Sequence, residues 1–187
     1  AKGASNAYTP VAITMTTEKI KSHFEDEFFC HGHTYAYHAL AASAIPAAVA
    51  EYDKLFKSGL PQKVSQHLEK KLYELGDKHI CVGDVRGIGH FWAFEIVKNR
   101  ETKEPFDVKP DKLSGKALMT GKIAGECMQD GLYIAPLYDT LVIAPPLIIT
   151  EDQIDEAIDI LDKCLKIGDE QAVETDVPVS KSSVYQK

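Results

Sequence analysis

A primary amine, a group of histidines beside a cysteine, and a set of closely spaced glycines are the features of this chain that could do chemistry. Lys2, in Ala1-Lys2-Gly3-Ala4-Ser5-Asn6-Ala7-Tyr8-Thr9-Pro10, could bond a carbonyl carbon and carry a proton if its surroundings kept it uncharged. Judged alone, a lysine this close to a chain end is a solvated charge. Cys30, His31, His33 and His38 are soft and borderline donors suited to zinc or copper. Their spacing speaks against a site: adjacent Cys30 and His31 point in different directions in most conformations, no second cluster follows, and no metal is expected. Gly83, Gly87 and Gly89 lack the spacing of a dinucleotide fingerprint and lead into the strand-like Phe91-Trp92-Ala93-Phe94, so they read as hairpin glycines. Arg86 and Asp84 could pair across that turn, an exposed and weak interaction by default.

The elements that must position these groups follow from periodicity and punctuation. Residues after Lys2 suit a loop entering a short buried strand, Val11 to Thr14, followed by a short surface helix over Thr17 to His23 and a solvated charge run at Glu25-Asp26-Glu27. Ala36 to about Phe56 is dense in alanine with Leu40, Ile45 and Val49 on compatible faces, and Pro46 is expected to kink or divide this helix. Its small side chains would permit close backbone approach at a domain or subunit contact. Val64, Leu68, Leu72 and Leu75 recur at helical spacing and end at Gly76. Ile80 to Val85 and Gly89 to Val97 read as two strands joined by a turn at Arg86-Gly87-Ile88-Gly89. Asn99 to Lys109 reads as an exposed loop, Asp111 to Asp130 as a helix capped by Gly131, and Leu132 to Ile134 and Thr140 to Ile143 as strands, the second stopped by Pro145-Pro146. Thr150 and Gln153 form a capping box for a last helix burying Ile154, Ala157, Ile158, Leu161 and Leu165. Beyond Gly168 the sequence is polar and aperiodic and reads as a disordered tail.

Composition narrows the function classes. A chain of 187 residues with 44% hydrophobic content can build a core. A net charge of -7, from 28 acidic and 21 basic residues without a basic stripe, argues against a nucleic-acid partner. No apolar run approaches the roughly 20 residues that span a bilayer, so no membrane partner is expected. Cys30, Cys81, Cys127 and Cys164 show no paired spacing; each reads as a small buried hydrophobe, and a reducing cytoplasm fits. The chain opens without methionine, the first being Met15, and reads as a fragment.

Four segments in order carry a family likeness: Ala1-Lys2-Gly3, then His31-Gly32-His33-Thr34-Tyr35-Ala36-Tyr37-His38 with the alanine-rich stretch behind it, then Val82-Gly83-Asp84-Val85-Arg86-Gly87-Ile88-Gly89, then Ala144-Pro145-Pro146-Leu147-Ile148-Ile149-Thr150. Together they resemble the C-terminal portion of the class III (omega) aminotransferases, from Ala1 to about Gly168. The resemblance implies an α/β fold, the C-terminal part of a type I pyridoxal-phosphate-dependent transferase: the end of the large domain plus a small α/β domain with a short antiparallel sheet. On that reading residues 1–58 close the large domain and begin the connecting helix, 59–168 form the interdomain helix and small domain, and 169–187 are the tail.

The resemblance also implies chemistry. Transamination needs an amine that forms a Schiff base with the cofactor aldehyde and then moves a proton between the substrate carbon and the cofactor; Lys2 matches the family's catalytic, cofactor-bonding lysine. Thr34 matches a threonine that binds the cofactor phosphate of the other subunit, so a homodimer is implied; without the family, a turn threonine bonding its own backbone would be preferred. The implied reaction takes a small-molecule amino donor, an omega-amino acid or amine, and a keto-acid acceptor such as pyruvate. Several members carry a carboxylate-holding arginine just before the Pro-Leu pair, where this chain has Ala135, so either the substrates are amines or sulfonates bound some other way or another arginine upstream substitutes. Ala36-Tyr37-His38-Ala39 stands where relatives commonly have Ser-Gly-His-Pro. The family's acidic partner for the pyridine nitrogen, its stacking ring and its phosphate loop precede the lysine and lie outside the sequence. The alternatives are therefore a catalytically inactive fragment or association partner and, ranked below it, a metal-binding protein.

Overall fold

Beyond Ser58, a mostly antiparallel sheet and three helices packed on one of its faces enclose the hydrophobic core. The computed structural model describes residues 2–108 and 113–183 and divides into two units at Ser58/Gly59. No helix among the described residues is long and apolar enough to cross a membrane.

In the first unit, Lys2–Ala4 form a 3₁₀ turn, α1 spans Glu18–Ser22 behind Thr17, and α2 spans Ala39–Lys57. Ser5 is the one buried residue among those described there. Val11 to Thr14 do not form the expected strand: no strand among the described residues pairs with them, Val11 is half-buried and Ala12 to Thr14 are exposed. α2 is not divided at Pro46, since the alanines on both sides carry enough helix propensity to continue through it. Leu40 and Val49, read as lying on compatible faces of this helix, are 75% and 55% exposed.

The second unit opens with α3 (Leu60–Lys78), whose Val64, Leu68, Leu72 and Leu75 are buried as the periodicity requires. Gly76 does not terminate it. A Cβ there would lie 2.5 Å from Val85 Cγ2, so the missing side chain is what lets α3 lie against the sheet. β1 (Val82–Ile88) and β2 (Phe91–Asn99) form a hairpin with Ile88 opposite Phe91, so the turn is Gly89-His90 and Arg86 and Gly87 belong to the strand. β3 (Glu104–Pro105) pairs with β2, within the stretch expected to be an exposed loop; Arg100 in that stretch is buried. α4 spans Met119–Gln129, shorter than the helix expected from Asp111, which lies outside the described residues. Its start is set by a residue distant in sequence, because the Asp107 carboxylate accepts the Met119 N–H at 2.8 Å. Its end is as expected: Gly131, at φ 95°, closes a Schellman motif in which Leu132 N–H reaches Cys127 O at 2.8 Å.

β4 is Ala135–Leu137, three residues later than the expected strand, and β5 is Thr140–Ile143. α5 (Glu151–Asp169) has the capping box of Thr150 and Gln153. The tail is where the structure differs most from the sequence reading: Val179 is buried, and Ser180–Ser183 form β6, parallel to β1. The strand order is β4-β5-β2-β1-β6. Trp92, Phe94, Leu141 and Val85 point from the sheet into the core with Leu72, Ile123, Ile154 and Leu165 from the helices, each fully buried side chain contributing about 1.5–3 kcal/mol.

Two polar groups fasten the helices to the sheet. His79, 1% exposed, bonds Asp169 through Nδ1 at 2.6 Å and Asp162 through Nε2 at 3.0 Å, both on α5. Arg100, 3% exposed, donates to the carbonyls of Gly76, His79 and Val177, which closes the C-terminal end of α3. Burial lowers the Arg100 pKa against the attraction of nearby negative groups.

Candidate functional site

In the first unit the chemistry-bearing group is the amine of Lys2, exposed and paired with no carboxylate among the described residues. The turn that carries it is strained: Lys2, Asn6 and Ala7 have φ values of 34°, 49° and 62°, a region that costs a residue with a side chain about 1–2 kcal/mol. Local bonds hold it there. Ala7 N–H donates to Lys2 O at 3.0 Å, and the buried Ser5 hydroxyl donates to Thr9 O at 2.9 Å. α2 grips the turn from two points, with Tyr52 OH donating to Gly3 O at 2.9 Å and Thr9 Oγ1 donating to Ala41 O at 2.8 Å. A Cβ at Gly3 would meet nothing within 4 Å, so the space beside the lysine is open.

Thr34 lies in an exposed turn, Thr34 to Tyr37, in which Ala36 N–H donates to His33 O at 3.0 Å and Tyr37 takes φ 60°. Tyr37 is fully exposed, as Phe28 and Tyr35 nearly are. The four donors read as a rival metal set have separate tasks: His31 and His33 rings meet edge to face at 4.9 Å, and His38 Nδ1 accepts Ala41 N–H as the cap of α2. Cys30 is exposed, unlike the buried Cys81, Cys127 and Cys164. No group of three His, Cys, Asp or Glu arranged for a metal occurs among the described residues. Burial pushes the Cys127 thiol up to about 12, so it is inert as a nucleophile.

In the second unit the face of the sheet away from the helices forms a second chemical surface. Strand register sets Arg86, Ala93, Val142 and Ala135 in one row and Asp84, Glu95, Thr140 and Leu137 in the next. Arg86 Nη1 bonds Asp84 at 2.6 Å and Glu95 at 2.7 Å. Hydrogen bonding to Asp84 raises the guanidinium pKa further; burial opposes this and Glu95 adds to it. The expected Arg86–Asp84 pair therefore exists within one strand, and Glu95 was missed. Placing the hairpin turn at Gly89-His90 would have set Glu95 opposite Asp84 and revealed it. The chain has only two arginines, Arg100 held by carbonyls and Arg86 by the Asp84 and Glu95 carboxylates.

The sequence profile of the family described as "Aminotransferase class-III" matches residues 1–165. The adenosylmethionine-8-amino-7-oxononanoate aminotransferase of Aquifex aeolicus is 34% identical over 88% of this chain and 36% of its own length. The putrescine–pyruvate aminotransferase of Pseudomonas aeruginosa is 32% identical over 88% of this chain and 35% of its own. Among solved structures, the taurine:2-oxoglutarate aminotransferase of Bifidobacterium kashiwanohense, in complex with PLP and glutamate, superposes with a TM-score of 0.69 at 32% identity, covering 83% of this chain and 34% of that one. The chain thus spans about a third of the length of the curated relatives it matches.

Proposed function

The chain belongs to the class III aminotransferases, and from that membership we propose that it serves pyridoxal-phosphate-dependent transfer of an amino group from an omega-amino acid or amine to a keto acid such as pyruvate. The observation that carries this reading is the Lys2 amine, presented by a strained turn inside the matched span. The donor set fits the cofactor: an exposed amine for its aldehyde, open space beside Gly3 for its approach, and the Thr34 hydroxyl for the phosphate held by the partner subunit.

When bound, the cofactor supplies an electron-withdrawing ring that makes the proton on the substrate's amine-bearing carbon removable. Lys2 Nζ would hold the cofactor through its aldehyde and, once the substrate amine had displaced it, would take that proton from the substrate carbon and deliver it to the cofactor. Tyr52 and Thr9 hold the turn in the conformation that presents Nζ. Ala135 offers a carboxylate no hydrogen bond, so recognition of a substrate carboxylate would need a group other than residue 135. Residues 1–58 are read as the end of the large domain and 59–168 as the connecting helix and small domain. The reading includes a cytoplasmic homodimer, its dimeric part supported by the exposed Phe28, Tyr35, Tyr37 and Leu40.

The test is to mix the chain with pyridoxal phosphate, reduce with borohydride and map the modified lysine by peptide mass spectrometry, with Lys2→Ala as control. Selective modification at Lys2 is expected. Uniform modification of surface lysines would overturn the role given to Lys2 and favour the inactive association partner.

A further inference from the structure

The turn that carries Lys2 and the turn that carries Thr34 meet at a single residue of α2. Ala41 N–H donates to His38 Nδ1 at 3.2 Å, and Ala41 O accepts from Thr9 Oγ1 at 2.8 Å. His38 belongs to the Thr34 side: Ala36 N–H donates to His33 O at 3.0 Å and His38 N–H to Tyr35 O at 3.3 Å, so overlapping turns lead from Thr34 straight into the cap. Thr9 belongs to the Lys2 side. Ser5 Oγ donates to Thr9 O at 2.9 Å and accepts Thr9 N–H at 3.4 Å, and Ala7 N–H reaches Lys2 O, which makes residues 2–9 one body.

Pro46 has no N–H, so the ladder bond to Ala42 O cannot form, and the first turn of α2 is tied less firmly to the turns that follow. His38 fastens that first turn from the other end. Its ring caps Ala41 N–H, and its carbonyl accepts Ala42 N–H at 2.9 Å. The lysine body hangs from α2 at one point on each side of the proline, Thr9 on Ala41 before it and Gly3 O on Tyr52 after it. A shift of the first turn moves one anchor and not the other. The backbone that must absorb the difference is the stretch with positive φ at Lys2, Asn6 and Ala7.

We propose that His38 is a positioning residue for Lys2, acting through Ala41 and Thr9, and that the Thr34 turn and the lysine turn move together. This rests on the roles given to Lys2 and Thr34 above. An imidazole serves the joint because its Nδ1 lone pair accepts Ala41 N–H, the task that Asn, Asp, Ser or Thr has at other helix starts. With Thr34 on the cofactor phosphate held by the partner subunit and Lys2 on the cofactor of its own, the joint couples the two sites of a dimer. An anion that draws in the Thr34 turn resets the presentation of Lys2 Nζ in the same chain.

The test labels the full chain with pyridoxal phosphate and borohydride and reads, by peptide mass spectrometry, the modification of Lys2 relative to the exposed Lys54 and Lys57. Thr9→Val, which removes the hydroxyl and keeps the side chain's shape, and His38→Ala should each lower that preference about 3- to 10-fold, the usual reach of one cap or hydrogen bond. His38→Asn, whose amide oxygen can cap Ala41 N–H in the same way, should restore it. Thr9→Val combined with His38→Ala should do no more than either alone, since both act through Ala41. Helix content by circular dichroism should stay at the wild-type level in Thr9→Val; its loss would make the effect one of folding and overturn the positioning role. Losses that multiply in the double variant, an unchanged preference in His38→Ala, or no rescue by His38→Asn would each overturn the proposal and leave the role of Lys2 standing. No preference for Lys2 in the wild type would overturn that role, and this proposal with it.

Discussion

Arg86 and Ala135 occupy the same row on the open face of the sheet, linked through Ala93 and Val142. Three strand spacings separate them, about 14 Å, and the side chains between are small. An arginine at the Ala135 position and Arg86 would therefore project over the same face from its two ends. Loss of the arginine at one end leaves the other as the cation of that row.

Ala135→Arg should supply a second guanidinium to that row. Glutarate, with a carboxylate at each end, should bind about tenfold more tightly, whereas acetate should gain little. Calorimetric titration of the wild type and the variant would measure this, and an equal gain for both anions would show that Arg86 and residue 135 do not share a ligand.

Ala7→Gly should stabilise the lysine turn by about 0.5–1 kcal/mol, because φ 62° strains alanine and not glycine. Urea unfolding of the first unit's helices would register a higher midpoint. A lower midpoint would mean that the turn is relaxed when the protein is in solution.

Acid should weaken the second unit through Asp169. Burial by itself would raise this carboxyl, but hydrogen bonds from His79 and from the Cys81 N–H and thiol prevail and hold it below the ordinary carboxylate range. A carboxyl whose pKa is lower folded than unfolded adds stability that is complete above the unfolded value, about 4, and is lost as pH falls through the folded one. Unfolding free energy should therefore fall in the wild type as pH drops below about 5, the loss being complete once pH is below the folded pKa. Asp169→Asn should be less stable at neutral pH and show a shallower acid decline; an unchanged slope would remove Asp169 from the explanation.

Gly76→Ala should destabilise by about 1–3 kcal/mol, since the added methyl would meet Val85 Cγ2 at 2.5 Å. Combining it with Val85→Ala should cost less than the two changes summed, because the second makes room for the first. Additive losses in thermal unfolding would show that α3 shifts away from β1 instead.

Much of the second unit was legible because its signals are local. The spacing of Val64, Leu68, Leu72 and Leu75, the Thr150/Gln153 box and Gly131 after α4 each act within one or two turns of backbone, and each is found where the residues imply. The errors have a common origin. α4 starts where Asp107 caps it, Gly76 answers to Val85, and the tail is ordered by Val179, Lys181 and Arg100; every one of these partners is distant in sequence. The candidate site divides in the same way. Lys2 and Thr34 were singled out by ordered motifs, whereas the strain at Lys2 and the grip of Tyr52 on Gly3 depend on where α2 returns.

The sequence by itself determined the family, the helical stretches and the residue types available for chemistry, because these reside in short-range periodicity and in motifs whose order survives without coordinates. Only the tertiary structure decided which side chains share a surface. Moving the β1–β2 turn to Gly89-His90 put Glu95 opposite Asp84, and the parallel docking of β6 put Ser182 beside Arg86. Register is a pairing between segments far apart in the chain, and a shift of one residue sends every side chain of a strand to the opposite face.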